Sequence, residues 1–164
     1  MNNDAKEPPA EIAYKFAGEA FRLWQGLLRV RSLRFVSPSA TPGWDGIGVG
    51  SVVVRSFEDT VLVFTESGAW RPTQGGETQF SNVFRWTLRG DGLISLEHLR
   101  YGLDNPVYLF DLAPVSASEW APVKAYLCNR DCYTAQVRLG ESKIRVCWAI
   151  TGPKKNERIE YTYQ

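Results

Sequence analysis

The chain has 164 residues, and its 19 Lys and Arg side chains against 18 Asp and Glu leave a net charge of +1. This length suits one folded domain, and the near-neutral charge provides no global attraction for nucleic acid or an anionic membrane. The 44% hydrophobic and 13% aromatic composition excludes a disordered chain and favours strands, where aromatic residues are enriched.

The first residues are polar and include Pro8 and Pro9, which predicts a flexible tail over 1–10 ahead of a single domain over 11–164. No stretch resembles a signal peptide, and the apolar runs are far shorter than the roughly 20 residues of a membrane span. The sequence therefore predicts a cytoplasmic protein with no membrane partner. Its three cysteines, Cys128, Cys132 and Cys147, are then expected to be reduced thiols.

One helical pattern comes first in the chain. Residues 11–25 place Ile12, Phe16, Leu23 and Trp24 at roughly helical spacing. This predicts one short helix, broken or weakened near Gly18. Its aromatic face is expected to close one end of the structure that the following residues form.

Strand patterns fill the rest of the chain. Ten candidate strands cover 27–36, 46–57, 60–68, 80–89, 92–100, 106–112, 121–129, 132–139, 143–150 and 157–163. Asp91-Gly92 and the 140–142 link are tight hairpin signals, and 113–120 is the loosest connection. Short strands with tight turns and no βαβ spacing predict a mainly β fold. We expect an antiparallel up-and-down barrel of about 8–10 strands with the helix near one mouth, or else a sandwich.

The C-terminal third carries a recognisable pattern. It consists of Cys128, Asp131, Tyr133, Trp148, the run Gly152-Pro153-Lys154-Lys155, and Tyr161. Together with "LEHLRYG" and "NPVYLFDL", over most of 16–163, it resembles a small bacterial family of unknown function. Members of that family resemble calycins, the lipocalin and fatty-acid-binding type of barrel, so the resemblance implies a calycin-like barrel and no particular activity. This chain departs from the pattern at Tyr126, where the family has a histidine.

Alternation places several aromatic side chains on inward faces of the predicted strands. They are Trp86, Tyr108, Phe110, Tyr126, Trp148 and Tyr161. Such residues either fill a barrel or line a cavity that takes a flat apolar ligand. The hydroxyl groups of these Tyr side chains and the indole N–H groups of the Trp side chains need polar partners. The set therefore favours a cavity that holds water or ligand.

Several charged side chains on the predicted strands and turns are candidates for ligand binding. If the even-numbered face of 92–100 points inward, His98 and Arg100 form a cation pair able to bind an acidic group, and otherwise they lie near a rim. Glu66 is either an inward carboxylate that needs a cationic partner or an exposed strand end. In the turn after Cys128, Arg130 pairs locally with Asp131, or else Arg130 and Tyr133 bind a ligand.

Metal and cofactor chemistry has little support in the sequence. Cys128 and Cys132 have a C-x₃-C spacing, and a metal site of three or four ligands would have to recruit the one other cysteine and the one histidine of the chain. Haem ligation by His98 has no flanking motif. We therefore predict no metal and no cofactor, and we assign no catalytic residue.

Three functions remain open on this barrel. The first is binding of a small apolar or aromatic, acidic ligand through His98, Arg100, Trp86, Tyr108, Tyr126, Arg130, Tyr133, Trp148 and Tyr161. The second is an isomerase or lyase that uses His98 as acid and base, assisted by Tyr or Glu66. The third is a non-catalytic interaction module, such as a homodimer, with a filled barrel.

The segment "TGPKKN" at 151–156 has two interpretations. It is the last hairpin turn of the sheet, or it lies at an open mouth, where Lys154 or Lys155 attracts an acidic ligand. No helix follows it, so it lacks the helix N-terminus of a phosphate loop.

Overall fold

The structure is a computed structural model that describes residues 10–38 and 45–164. Residues 1–9 of the predicted tail lie outside this part of the chain. Ala10 already belongs to the helix. Side chains are described from Gly18 onward in that helix.

The elements follow the predicted order with adjusted ends. They are α1 Ala10–Leu28, β1 Ser32–Ser37, β2 Gly46–Phe57, β3 Val61–Pro72, β4 Thr78–Leu88, β5 Ile94–His98, β6 Val107–Ser116, β7 Glu119–Pro122, β8 Tyr126–Cys128, β9 Asp131–Leu139, β10 Ile144–Gly152 and β11 Lys155–Tyr163. The predicted bounds of β2 are confirmed without change.

The strands close into an antiparallel barrel. Neighbours follow the order β10-β11-β1-β2-β3-β4-β5-β6-β7-β9, and the pairing of β9 with β10 completes the circle of ten strands. Strand β8 pairs with the start of β9 outside this circle. The predicted up-and-down barrel is confirmed, and the sandwich alternative is wrong.

Helix α1 packs across one end of the barrel. Ala20, Leu23, Trp24 and Leu27 are buried at the i, i+3, i+4, i+7 spacing of an amphipathic helix. The Arg22 guanidinium donates a hydrogen bond to the Ala117 carbonyl at 3.3 Å, which ties the helix to the β6–β7 turn. The prediction that the helix closes one end of the barrel is therefore confirmed.

The predicted break at Gly18 is wrong, because the helix runs through it without interruption. Among the described residues outside its own helix backbone, no atom lies within 4 Å of the position where a Cβ would stand on Gly18. A glycine in a helix costs about 1 kcal/mol relative to alanine. The burial of the apolar face over the following residues offsets this cost.

Two connections differ from the sequence predictions. The segment 113–120 is a β-hairpin in which Ala113 pairs with Ala121 and Pro114 pairs with Trp120, rather than a loose link. The strand predicted over 121–129 is divided into β7 and β8. Pro122 is the last residue of β7, and proline has no N–H to continue a ladder.

Candidate functional site

A cavity of about 570 Å³ occupies the end of the barrel opposite the helix. We call it the distal cavity. Its apolar walls are Phe35, Trp70, Phe80, Ile150, Ile159 and Tyr161. Its polar lining includes Thr78, Gln79, Tyr133, Lys154, Lys155 and Glu157.

Strand alternation explains which side chains reach this cavity. Tyr161 and Ile159 share the inward face of β11 with the buried Tyr163, and Phe80 shares the inward face of β4 with Trp86. The Phe35 ring stacks on Tyr161 at 5.0 Å and meets the edge of Phe80 at 5.2 Å. These rings form a continuous aromatic wall.

Gly48 makes room for this wall. It lies opposite Phe35 in the β1–β2 ladder, and a Cβ on Gly48 would overlap the Phe35 ring. The glycines of "GIGVG" therefore serve close packing within a strand. This agrees with the absence of a nucleotide-binding glycine motif in the sequence.

The substitution Gly48→Ala is expected to lower the free energy of unfolding by about 1–3 kcal/mol, because the Phe35 ring must move within a packed wall. Urea denaturation measures this change. Gly76→Ala is the matched control, since a Cβ there meets no atom of the described residues within 4 Å apart from its chain neighbours. Equal stability of the two variants would contradict the role of Gly48.

The segment "TGPKKN" forms the β10–β11 hairpin at the rim of the distal cavity. Gly152 pairs with Lys155 across the turn, which confirms the hairpin interpretation. Lys155 donates to the Asp131 carboxylate at 2.8 Å, and this hydrogen bond raises the pKa of Lys155. The exposed Lys154 has no ion-pair partner within 10–38 and 45–164. The predicted pairing of Asp131 with Arg130 is wrong, because the neighbouring hairpin brings Lys155 to this carboxylate.

A buried carboxyl group lies one layer below the cavity wall. Glu66 is fully buried, accepts a hydrogen bond from the Tyr163 hydroxyl at 2.6 Å, and accepts a longer one from the Asn82 amide at 3.4 Å. Burial raises its pKa from 4.5 to about 7. The inward placement of Glu66 is confirmed. The prediction that a cation faces this carboxyl group is wrong, because its hydrogen-bond donors, Tyr163 and Asn82, are neutral.

Two stacked tyrosines connect the cavity with Glu66. Tyr161 lines the cavity, and its ring stacks on Tyr163 at 5.7 Å. Burial and the nearby Glu66 carboxyl raise the pKa of both phenols, so both stay protonated at neutral pH. A ligand that moves Tyr161 would therefore disturb the surroundings of Glu66 through one intermediate ring.

Two of the nine predicted binding residues, Tyr133 and Tyr161, line the distal cavity. Tyr126 lies beside Tyr133, with 5.7 Å between the ring centroids. Trp86 is inward as predicted, but it is buried in the core, where its indole Nε1 has no hydrogen-bond partner among the described residues.

His98 belongs to a different interior cluster. Its ring is half-buried and stacks on Phe84 at 4.7 Å, and Trp148 packs between Phe84 and Phe110. Burial, followed by the positive charge of Arg100, lowers the pKa of His98. The prediction that His98 lies on the inward face of β5 is therefore confirmed. Neither His98 nor Trp148 lines the distal cavity.

Two predicted inward placements are wrong, and a third predicted binding residue lies outside the cavity. Arg100 follows the end of β5, is exposed, and lies over the Tyr101 ring at 5.0 Å, so the inward cation pair does not form. Tyr108 is 52% exposed, because a bulge between Leu96 and Glu97 shifts the register of β6 and reverses the face of this residue. Arg130 is exposed in the β8–β9 turn, outside the cavity lining.

Phe35, Trp70 and the isoleucines of the cavity wall were not predicted from the sequence as ligand contacts. Trp70 continues the inward series of Phe64 and Glu66 on β3, so a longer alternation pattern would have found it.

The predictions about cysteines and metal ions concern residues outside the distal cavity. All three cysteines are free thiols, and no three His, Cys, Asp or Glu side chains converge anywhere in 10–38 or 45–164.

The comparisons with known proteins give a family and no activity. No curated protein and no solved structure matches the chain at a significant level. No helix in the described ranges is long and apolar enough to cross a membrane. A family model described as "Family of unknown function (DUF6314)" matches residues 39–164. The chain therefore belongs to the DUF6314 family, and the matched residues include every strand from β2 onward.

Proposed function

We propose that this protein binds a small apolar or aromatic ligand with an acidic group in the distal cavity of a calycin-like barrel. The observation that carries the proposal is the cavity itself. Its volume of about 570 Å³ lies within the roughly 300–1,000 Å³ range of small-molecule pockets. Its walls are mostly apolar with a few polar groups, as in such pockets.

The aromatic wall favours a flat ligand. Phe35, Phe80 and Tyr161 already pack ring to ring, and Trp70 lies on the neighbouring strand. Offset and edge contacts with such rings add to the free energy gained by burying apolar area. Of the residues nominated from the sequence, the proposal keeps Tyr133 and Tyr161 as ligand contacts.

The charge at the rim favours an acidic group on the ligand. Lys155 is already paired with Asp131, whereas Lys154 is exposed and has no such partner in the described ranges. A carboxylate or sulfonate at the rim would meet the Lys154 ammonium group while the apolar part of the ligand enters the cavity. Because this contact is exposed to water, it is worth about 0.5–1 kcal/mol.

Two further features are consistent with this proposal. A closed ten-stranded up-and-down barrel with a helix at one end is the architecture expected of the calycin-like type. The three free thiols suit a reducing cytoplasm, where we place the protein.

Titration with 1-anilinonaphthalene-8-sulfonate, an aromatic sulfonate of the proposed kind, tests the cavity. We expect saturable fluorescence enhancement with one site per chain. Ile159→Trp adds an indole ring to the cavity wall, reduces the free volume and should weaken this binding. Lys154→Glu should weaken binding about two- to fivefold, since it removes an exposed attraction and adds a repulsion. Native mass spectrometry of the purified protein complements this by detecting a retained ligand.

The control is Lys143→Glu, which makes the same charge change in the β9–β10 turn at the helix end of the barrel. Thermal unfolding of each variant checks that it folds. Binding that is unsaturable, or that Ile159→Trp and Lys154→Glu leave unchanged in folded protein, would overturn the proposal.

A further inference from the structure

A row of arginines crosses the outer face of the barrel. In the ladders, Arg138 of β9 lies opposite Arg145 of β10, Arg145 lies opposite Thr162 of β11, and Thr162 lies opposite Arg34 of β1. Neighbouring strands are about 4.8 Å apart, so three arginines lie within about 15 Å. We call Arg34, Arg138, Arg145 and Thr162 the arginine row.

The row faces outward, away from the distal cavity. Arg34, Arg138 and Arg145 are exposed, while the residues that alternate with them, among them Leu33, Val137 and Val146, are buried in the core. A groove of about 410 Å³ runs along this face. Arg138, Arg145, Arg158, Cys147, Glu160 and Thr162 line the groove.

Two of the positive charges on this face are neutralised and two are not. Arg138 donates to the Glu119 carboxylate at 2.7 Å, and Arg158 donates to Glu160 at 2.9 Å. Arg34 and Arg145 have no ion-pair partner among the residues that the structure describes. Two guanidinium groups with uncompensated charge therefore flank Thr162.

This arrangement is unfavourable for the barrel alone. Like charges placed directly opposite each other in an antiparallel pair destabilise a sheet; Arg138 and Arg145 are such a pair, and the Glu119 carboxylate offsets only the Arg138 charge. A local excess of positive charge on a chain of net charge +1 is the electrostatic feature expected of an anion site.

We propose that the arginine row binds a phosphate monoester, with Arg34 and Arg145 as its main contacts. A phosphate monoester carries about −1.5 to −2 charges at neutral pH, which matches two uncompensated guanidinium groups, whereas a carboxylate matches one. Guanidinium groups donate paired hydrogen bonds to phosphate oxygens, and the Thr162 hydroxyl between them adds a third donor. Arg138 borders the site and shares its charge with Glu119.

The patch is too small for extended nucleic-acid binding. Its uncompensated charge is confined to two side chains, on the strands β10 and β1 that flank β11. A nucleic-acid surface needs a longer basic track and would show a steep salt dependence. A compact phosphate group fits the two charges better.

Isothermal titration calorimetry with phenyl phosphate as probe tests this site. Arg145→Gln and Arg34→Gln should each weaken binding about tenfold, the effect of losing one charge-assisted hydrogen-bonding partner. Arg55→Gln is the matched control, because Arg55 is an exposed arginine on β2 away from the row. Inorganic phosphate should bind more weakly, and any benzoate binding, such as in the distal cavity, should not change in the Arg145→Gln or Arg34→Gln variant.

A second readout uses the thiol in the groove. Cys147 is half-buried, two residues from Arg145 on the same face of β10, and phenyl phosphate should slow its alkylation by iodoacetamide. Cys128 and Cys132 are internal controls whose rates should not change.

Equal phenyl phosphate affinities of the Arg145→Gln and Arg55→Gln variants would overturn the proposal. So would a benzoate affinity that Arg145→Gln weakens as strongly as the phenyl phosphate affinity, or binding of a single-stranded oligonucleotide without binding of phenyl phosphate. Because each result is a difference between a row variant and the Arg55→Gln control, it is independent of binding in the distal cavity.

Discussion

Replacing Glu66 with Gln is expected to stabilise the protein by up to about 3 kcal/mol at about pH 8 and to leave its stability nearly unchanged at about pH 4. The Glu66 carboxyl group is fully buried and has a pKa of about 7, against an ordinary value of 4.5. Each pKa unit corresponds to about 1.4 kcal/mol, so the difference amounts to about 3 kcal/mol.

The sign follows from proton binding. Between pH 4.5 and about 7 the folded protein keeps the Glu66 proton that the unfolded chain has lost, so the free energy of unfolding falls as pH rises. The stabilisation present below pH 4.5 is lost by the time the folded group ionises. Glutamine has a similar shape, can still accept from the Tyr163 hydroxyl, and cannot ionise.

The measurement is urea denaturation of wild type and Glu66→Gln across this pH range. His98 acts in the opposite direction, since its lowered pKa makes stability rise with pH, and the comparison between variants cancels this term. Glu77→Gln is the control, because Glu77 forms an exposed ion pair with Arg71. An unchanged pH slope in Glu66→Gln would show that Glu66 does not titrate in this range.

Replacing Trp120 with Ala is expected to lower the free energy of unfolding by about 3–5 kcal/mol, the usual cost of removing a buried tryptophan ring. Trp120 is fully buried on β7. This strand contributes two residue pairs to β9, Glu119 with Arg138 and Trp120 with Val137, and these pairs close the barrel on that side. Loss of the ring should also increase amide hydrogen exchange in β7 and in the second half of β9.

Trp120→Phe separates ring packing from the indole N–H. The Nε1 of Trp120 is buried without a hydrogen-bond partner in the described part of the chain, so its removal relieves a desolvation penalty. We expect Trp120→Phe to cost much less than Trp120→Ala in urea denaturation. A phenylalanine variant as unstable as the alanine variant would contradict this account of the barrel closure.

Most of the architecture could be read from local patterns. Period-two alternation identified Trp86, Phe110, Trp148 and Tyr161 as inward, and turn chemistry placed the hairpins at Asp91-Gly92 and after Gly152. These features depend on a few neighbouring residues, which is why they are visible without a structure. The sequence also indicated that a helix closes one end.

Local patterns failed where an irregularity or a distant partner decides the outcome. The bulge between Leu96 and Glu97 reverses Tyr108, and no residue type announces it. The partner of Asp131 is Lys155, which comes from the next hairpin rather than from the adjacent Arg130. Glu66 satisfies its carboxyl group with Tyr163, 97 positions away in the chain.

By itself, the sequence determined that this is a mainly β barrel with a helix at one end and many inward aromatic rings. Only the tertiary structure decided that the Lys154 turn lies at the end opposite the helix, on the rim of a cavity. It likewise decided that Arg34 joins Arg138 and Arg145 in one row. The physical reason is that alternation is a property of a single strand, whereas ladder register and barrel closure join strands that are far apart in the chain.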